Sequence, residues 1–139
     1  SKYRKIIIYK SHFTTIETKL DDKDMLIRCL REIYPNITIR DEKWINGYNN
    51  EKVFADILIK QENNIDFGFV LNNNHYEMVS DLQFWQQSIP PDVFLEKLYQ
   101  KYSLYKVIDG VQEQGFNTDL IDYNSENGCI ELQVSRYNV

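Results

Sequence analysis

Four side chains stand where their type and spacing could support chemistry: His12, Glu77, Asp81 and Trp85. Glu77 shares strand parity with Val79 and Asp81 in "HYEMVSD", so two carboxylates could lie on one sheet face. Such a pair could divide general acid and base roles or hold a hard cation, provided a cleft separates their pKa values. Otherwise carboxylates on the polar face of an antiparallel strand are simply solvated, and that is the expectation for these two and for Asp56 and Asp66. His12 opens "SHFTTIETKL", where its imidazole either fixes the head of a strand by hydrogen bonding or enters a pocket with Glu77 and Asp81. Trp85 arrives in the polar segment "DLQFWQQSIPP"; it either roofs that pocket, anchors a partner, or plugs the sheet edge beneath a helix.

Other signatures fail. Neither His12 nor His75 has HxxxH, HxH or ExxH spacing, and Cys29 and Cys129 have no CxxC spacing, so no metal and no disulfide is expected. His75 reads as an exposed turn residue. The sequence has no Walker loop, GxGxxG, GxSxG or HExxH, so no catalytic residue and no cofactor is assigned.

The elements that must position these residues follow from periodicity. Leu20 to Tyr34 reads as a helix with Met25, Leu26, Cys29, Leu30 and Ile33 on its apolar side, Asp21 or Asp22 at its cap and Pro35 beyond its end. "ITIR" leads toward Trp44 and an Asn46-Gly47 turn. In "VFADILIKQ", Val53, Ala55, Ile57 and Ile59 share one face; in "IDFGFVL", Ile65, Phe67, Phe69 and Leu71 do. A turn at Glu62-Asn63-Asn64 joins these two strands, and Asn72-Asn73-Asn74 reverses the chain into the strand that carries Glu77, because asparagine tolerates positive φ. Pro90 and Pro91 open a long helix to about Gln114, with an apolar stripe from Phe94 to Val111 and Gly115 as its C-cap. The last segment is a hairpin around Asn127-Gly128, expected to turn Ile130, Leu132 and Val134 to the core. This order gives an α+β domain over 11–139: a mainly antiparallel sheet, meander plus C-terminal hairpin, with two helices packed on one face. Residues 1–10 are a leader or an extra edge strand.

Composition agrees with a folded chain. Of 139 residues, 42% are hydrophobic and 27% charged, and the net charge of −5 argues against general nucleic-acid binding. Lys2, Arg4, Lys5 and Lys10 form a local basic cluster at the start. No apolar run is long enough to span a bilayer, so a soluble protein is expected.

The segments "SHFTTIETKL", "ADILIKQENNIDFGFV", "HYEMVSDLQFWQQ", "FLEKLYQKYSLYKVI" and "GCIELQVSR" together resemble the hypothetical chloroplast reading frame thirty-five family of plastids and cyanobacteria. The resemblance implies the plastid stroma or a cyanobacterial cytoplasm, with no transmembrane span, and a link to an AAA-type ATPase or a ferredoxin-like protein. It implies no activity, since the family is of unknown function. The expectation is therefore a non-catalytic accessory or adaptor protein acting by protein contact; its rival is a small enzyme or ligand-binding domain with a carboxylate-lined pocket near Trp85.

Overall fold

Asparagine sets the two tight reversals of the central meander. Asn73 and Asn74 have φ of 51° and 67°, the pair of positive values that a two-residue type I′ hairpin demands, and Asn64 has φ 62° in the preceding turn. In this computed structural model, which describes residues 6–8, 13–46, 51–124 and 129–136, those turns join β4 (Lys52–Lys60), β5 (Phe67–Asn72) and β6 (His75–Asp81). With β1 (Ile6–Ile8), β2 (Phe13–Glu17) and β3 (Thr38–Asn46) they form a six-stranded sheet in the order β1-β2-β6-β5-β4-β3, every pair antiparallel.

Two helices cover one face. In α1 (Lys23–Ile33), Asp22 caps the start by accepting from the Met25 N–H at 3.0 Å, and Met25, Leu26, Cys29 and Leu30 are buried. In α2 (Pro91–Glu113) proline occupies the first turn, where its missing N–H costs nothing, and Gly115 takes φ 87° just past the helix end. These side chains meet Ile16, Ile57, Ile59, Phe67, Phe69 and Met78 from the sheet in one core. Full burial of each such side chain contributes about 1.5–3 kcal/mol. The apolar stripe expected to reach Val111 is fully buried only as far as Leu104: Tyr105, Ile108 and Val111 are half-buried and Val107 is exposed.

The opposite face carries a second, smaller cluster of Phe13, Ile45, Ala55, Leu58 and Val79, flanked by Val53 and Val70. Strict alternation put Ala55 and Val53 with Ile57 and Ile59; instead they leave the helix side. The far half of the β3–β4 hairpin bends over β5, so that the Asp66 N–H donates to the Asn46 carbonyl at 3.2 Å. Gly68 permits this approach: a Cβ there would stand 2.3 Å from the Ile57 carbonyl oxygen and 3.1 Å from both Ala55 Cβ and Ile45 Cδ1.

The C-terminal strands, β7 (Phe116–Asn124) and β8 (Cys129–Arg136), pair only with each other as a separate two-stranded sheet. The hairpin expectation holds; the core expectation for Val134 does not. Val134 is 43% exposed, and Glu131, Gln133 and Ser135 are exposed too; the side chains of Ile130 and Leu132 lie outside the described residues. The Asn127-Gly128 turn lies outside the described residues, as do Gly47 and the basic residues Lys2, Arg4, Lys5 and Lys10.

Candidate functional site

Three of the four carboxylates named from the sequence are buried; Asp56 is half-buried and accepts the Leu71 N–H at 2.6 Å. Glu77, Asp81 and Asp66 are 8%, 2% and 2% exposed, so the expectation of a wetted polar strand face is corrected. The bent hairpin arm shelters that face. Asp81 ends β6 and accepts the Gln83 N–H at 3.1 Å, capping a short 3-10 turn over Leu82–Phe84. Burial pushes the Asp66 carboxyl above its ordinary value, with Lys60 pulling the other way. Asp66 Oδ1 and Asp81 Oδ2 are both buried without a hydrogen-bond partner among the described residues.

Glu77 sits differently, at a place where three strands present short polar side chains. In register it faces Glu17 on β2 and Val70 on β5, and the closing pair of the adjacent hairpin is Asn72 with His75. The Asn72 side-chain amide donates to Glu77 Oε1. His75 is exposed, and its Nδ1 lies 3.3 Å from the Asn73 carbonyl. Two recesses meet at the Asn72–Glu77 pair. One, of about 350 Å³, is polar and lined by Glu17, Thr18, Lys19, Asn72, Asn73, His75 and Glu77. The other, of about 470 Å³, is walled by Val53, Val70, Leu71 and Val79 together with Thr15, Asn72 and Glu77.

Trp85 is on the other side of the sheet. Its ring packs 4.7 Å from Phe67 and 5.3 Å from Phe94, and its indole N–H donates to the Ile89 carbonyl at 2.7 Å. Gln61 pins the segment by donating to the Phe84 carbonyl at 3.2 Å and accepting from the Gln86 N–H at 2.7 Å. Trp85 therefore fills the helix-side core, and Glu77, whose neighbours Tyr76 and Met78 face that core, points away from it. The structure does not bring Trp85 to the Glu77 recess, and Asp81 serves its own turn. His12 lies outside the described residues. Among the described residues, no three of the His, Cys, Asp and Glu side chains group so as to hold a metal ion.

Sequence reasoning passed over a pair on the hairpin arm. Trp44 and Phe54 are cross-strand partners, 57% and 43% exposed, with ring centroids 5.4 Å apart at 75°. The signal that could have found them is arithmetic: both lie at equal remove from the Asn46–Lys52 closing pair, so a hairpin there must set them face to face. Alternation then sends their rings away from Ile45 and Val53, which point inward.

Comparison with known proteins agrees with the resemblance in the sequence. The model of a protein family of unknown function, DUF1257, matches residues 29–132. An uncharacterized protein ycf35 of Guillardia theta is 38% identical over 127 residues, covering 91% of this chain and 98% of that protein. The ycf35 protein of Pyropia yezoensis is 38% identical over 128 residues, with 92% and 98% covered, and that of Cyanophora paradoxa 34% over 129, with 91% and 98%. No solved structure matches the chain significantly. These relatives are plastid-encoded and support a plastid origin.

Proposed function

The chain belongs to the DUF1257, or ycf35, family of uncharacterised proteins, and from that premise we propose that it is a non-catalytic accessory or adaptor protein acting by protein contact. The observation that carries this reading is the Trp44–Phe54 pair. Two large aromatic rings stacked edge to face and left open to solvent are the residue type on which interface energy concentrates. The contact is made by side chains and not by strand addition, because the open edge of β3 carries Arg40, Asp41 and Lys43, charges that discourage pairing with a foreign strand. An AAA-type ATPase or a ferredoxin-like protein is the partner class the family resemblance suggests, and the plastid stroma, or the cytoplasm in a cyanobacterial setting, is the compartment.

The test is affinity capture from stroma with wild-type chain and a Trp44→Ala/Phe54→Ala double variant, each first checked by denaturant unfolding. The expected result is loss of the captured protein with stability lowered by about 1–2 kcal/mol, since the ring pair itself is worth about 0.5–1.5 kcal/mol, and with the chain still folded. Unchanged capture by the double variant, together with loss on Val107→Glu at the exposed side of α2, would move the contact to the helices and overturn the assignment to the arm.

A further inference from the structure

Three chain segments converge on the buried carboxylate of Asp66. The residue ends the turn between β4 and β5 and immediately precedes β5. Its N–H donates to the carbonyl of Asn46, the last residue of β3, at 3.2 Å. Burial pushes its carboxyl up, while Lys60, the backbone N–H groups of Gln61 and Asn46, and Arg40 pull it back down. Asp66 thus engages Asn46 twice, through its own N–H and through its carboxylate, and ties it to Gln61 just past the end of β4. Its Oδ1 is nevertheless buried without a hydrogen-bond partner among the described residues. A native fold leaves few buried polar atoms unmatched, and each one left calls for an explanation.

The grip on Asn46 acts next to the aromatic pair. Asn46 faces Lys52 across the hairpin, and the next pair on the same side is Trp44 with Phe54. Between them Ile45 turns the other way and is fully buried over Gly68, where a Cβ would lie 3.1 Å from Ile45 Cδ1. Beyond it, Val53 only walls the recess of about 470 Å³ that it shares with Val70, Leu71 and Val79, so the underside of the arm is incompletely packed. Apolar burial is non-directional and does not by itself set the angle at which the arm crosses the sheet. Hydrogen bonds have preferred angles and do. A surface already held in its bound arrangement also loses less freedom on association.

We propose that Asp66 is the positioning residue of the aromatic contact: it holds Asn46 at the start of β5, which fixes the arm across the sheet and presents Trp44 and Phe54 to a partner as one preset surface. The inference rests on the reading of the arm as the contact and adds to it the residue that sets its orientation.

The test pairs Asp66→Ala, which removes the acceptor, with Asp66→Asn, which keeps an acceptor oxygen at the same reach. In a Trp85→Phe background Trp44 is the sole tryptophan, and time-resolved fluorescence anisotropy reports its motion with no partner present. Asp66→Ala is expected to give Trp44 a fast nanosecond loss of anisotropy that neither the parent chain nor Asp66→Asn shows. In affinity capture from stroma, Asp66→Ala should retain about tenfold less of the protein that the wild-type chain captures, and Asp66→Asn should stay within about twofold of wild type. Should Asp66→Ala not fold, Asp66→Ser, whose oxygen falls one bond short of the carboxylate's reach, replaces it in both readouts. Trp44 as ordered in Asp66→Ala as in the parent, or loosened equally in both variants, would overturn the proposal. So would full capture by Asp66→Ala where Trp44→Ala/Phe54→Ala captures nothing. Full capture by that double variant as well would bring down the reading of the arm, and this inference with it.

Discussion

The two tryptophans of this chain occupy opposite kinds of surroundings. Trp85 is wedged among Phe67, Phe94 and the Ile89 carbonyl on the helix side; Trp44 lies open on the hairpin arm against a single ring. The helix side is a closed apolar layer in which nearly every ring and methyl meets another. The far side is a patchwork of a small apolar cluster, a close backbone approach at Gly68, and buried carboxylates with unmatched oxygens. The difference teaches where stability and recognition are separated. Changes on the helix side should register as lost folding energy, and changes on the arm should register as lost contact.

The largest effect that would break this contrast is at Phe94. Phe94→Ala removes a fully buried ring that touches Tyr34, Phe67 and Trp85, and should cost about 3–5 kcal/mol by denaturant unfolding. A cost as small as that of an exposed substitution would mean the helix layer is not the main core.

Gly68→Ala comes next. The added Cβ meets backbone at 2.3 Å and cannot be relieved by a rotamer, so either β4 shifts or the arm lifts; overpacking of this sort costs about 1–3 kcal/mol. The expected signature is faster amide exchange at Ile45 and Ala55, with α1 and α2 unchanged. Wild-type exchange at those two positions would show that the arm does not depend on the glycine.

A smaller, pH-dependent effect belongs to Asp66. Its folded pKa is raised above the ordinary 3.8 by burial, so the native state holds this proton more tightly than the unfolded chain. Stability attached to the group is therefore full at acid pH and falls as pH rises from that ordinary value through the folded one. Asp66→Asn lacks the titration, and its stability relative to wild type should improve from acid to neutral pH in urea unfolding. A difference that stays flat, or moves the other way, would show that the carboxylate is well solvated or paired.

Much of the fold was legible because its signals are local. Asn73 and Asn74 announced their turn, Asp22 its cap, Gly115 the end of α2, and Cys29 its burial by helical spacing. The burial of Asp81 was not legible, since its neighbours Phe13 and Val79 meet Ile45 and Ala55 of the bent β3–β4 arm on a face that alternation alone marks as open. Ala55 shows the same limit: a period of two assigns faces along a straight strand, and this strand bends between Ala55 and Ile57. Val134 failed because a hairpin pattern says which residues share a side and not whether anything covers it. Trp85 was legible as a choice between plug and contact surface, and only its neighbours Phe67 and Phe94, distant in sequence, decide for the plug.

The contrast between the two faces is tested most directly by acrylamide quenching of two single-tryptophan variants, Trp85→Phe and Trp44→Phe, with and without the protein captured from stroma. Alone, the chain that retains Trp44 should quench readily and the chain that retains Trp85 poorly. With partner added, the Trp44 signal should become protected while the Trp85 signal stays as it was. Protection that appears at Trp85 and not at Trp44 would contradict the account, placing the contact on the helix-covered side.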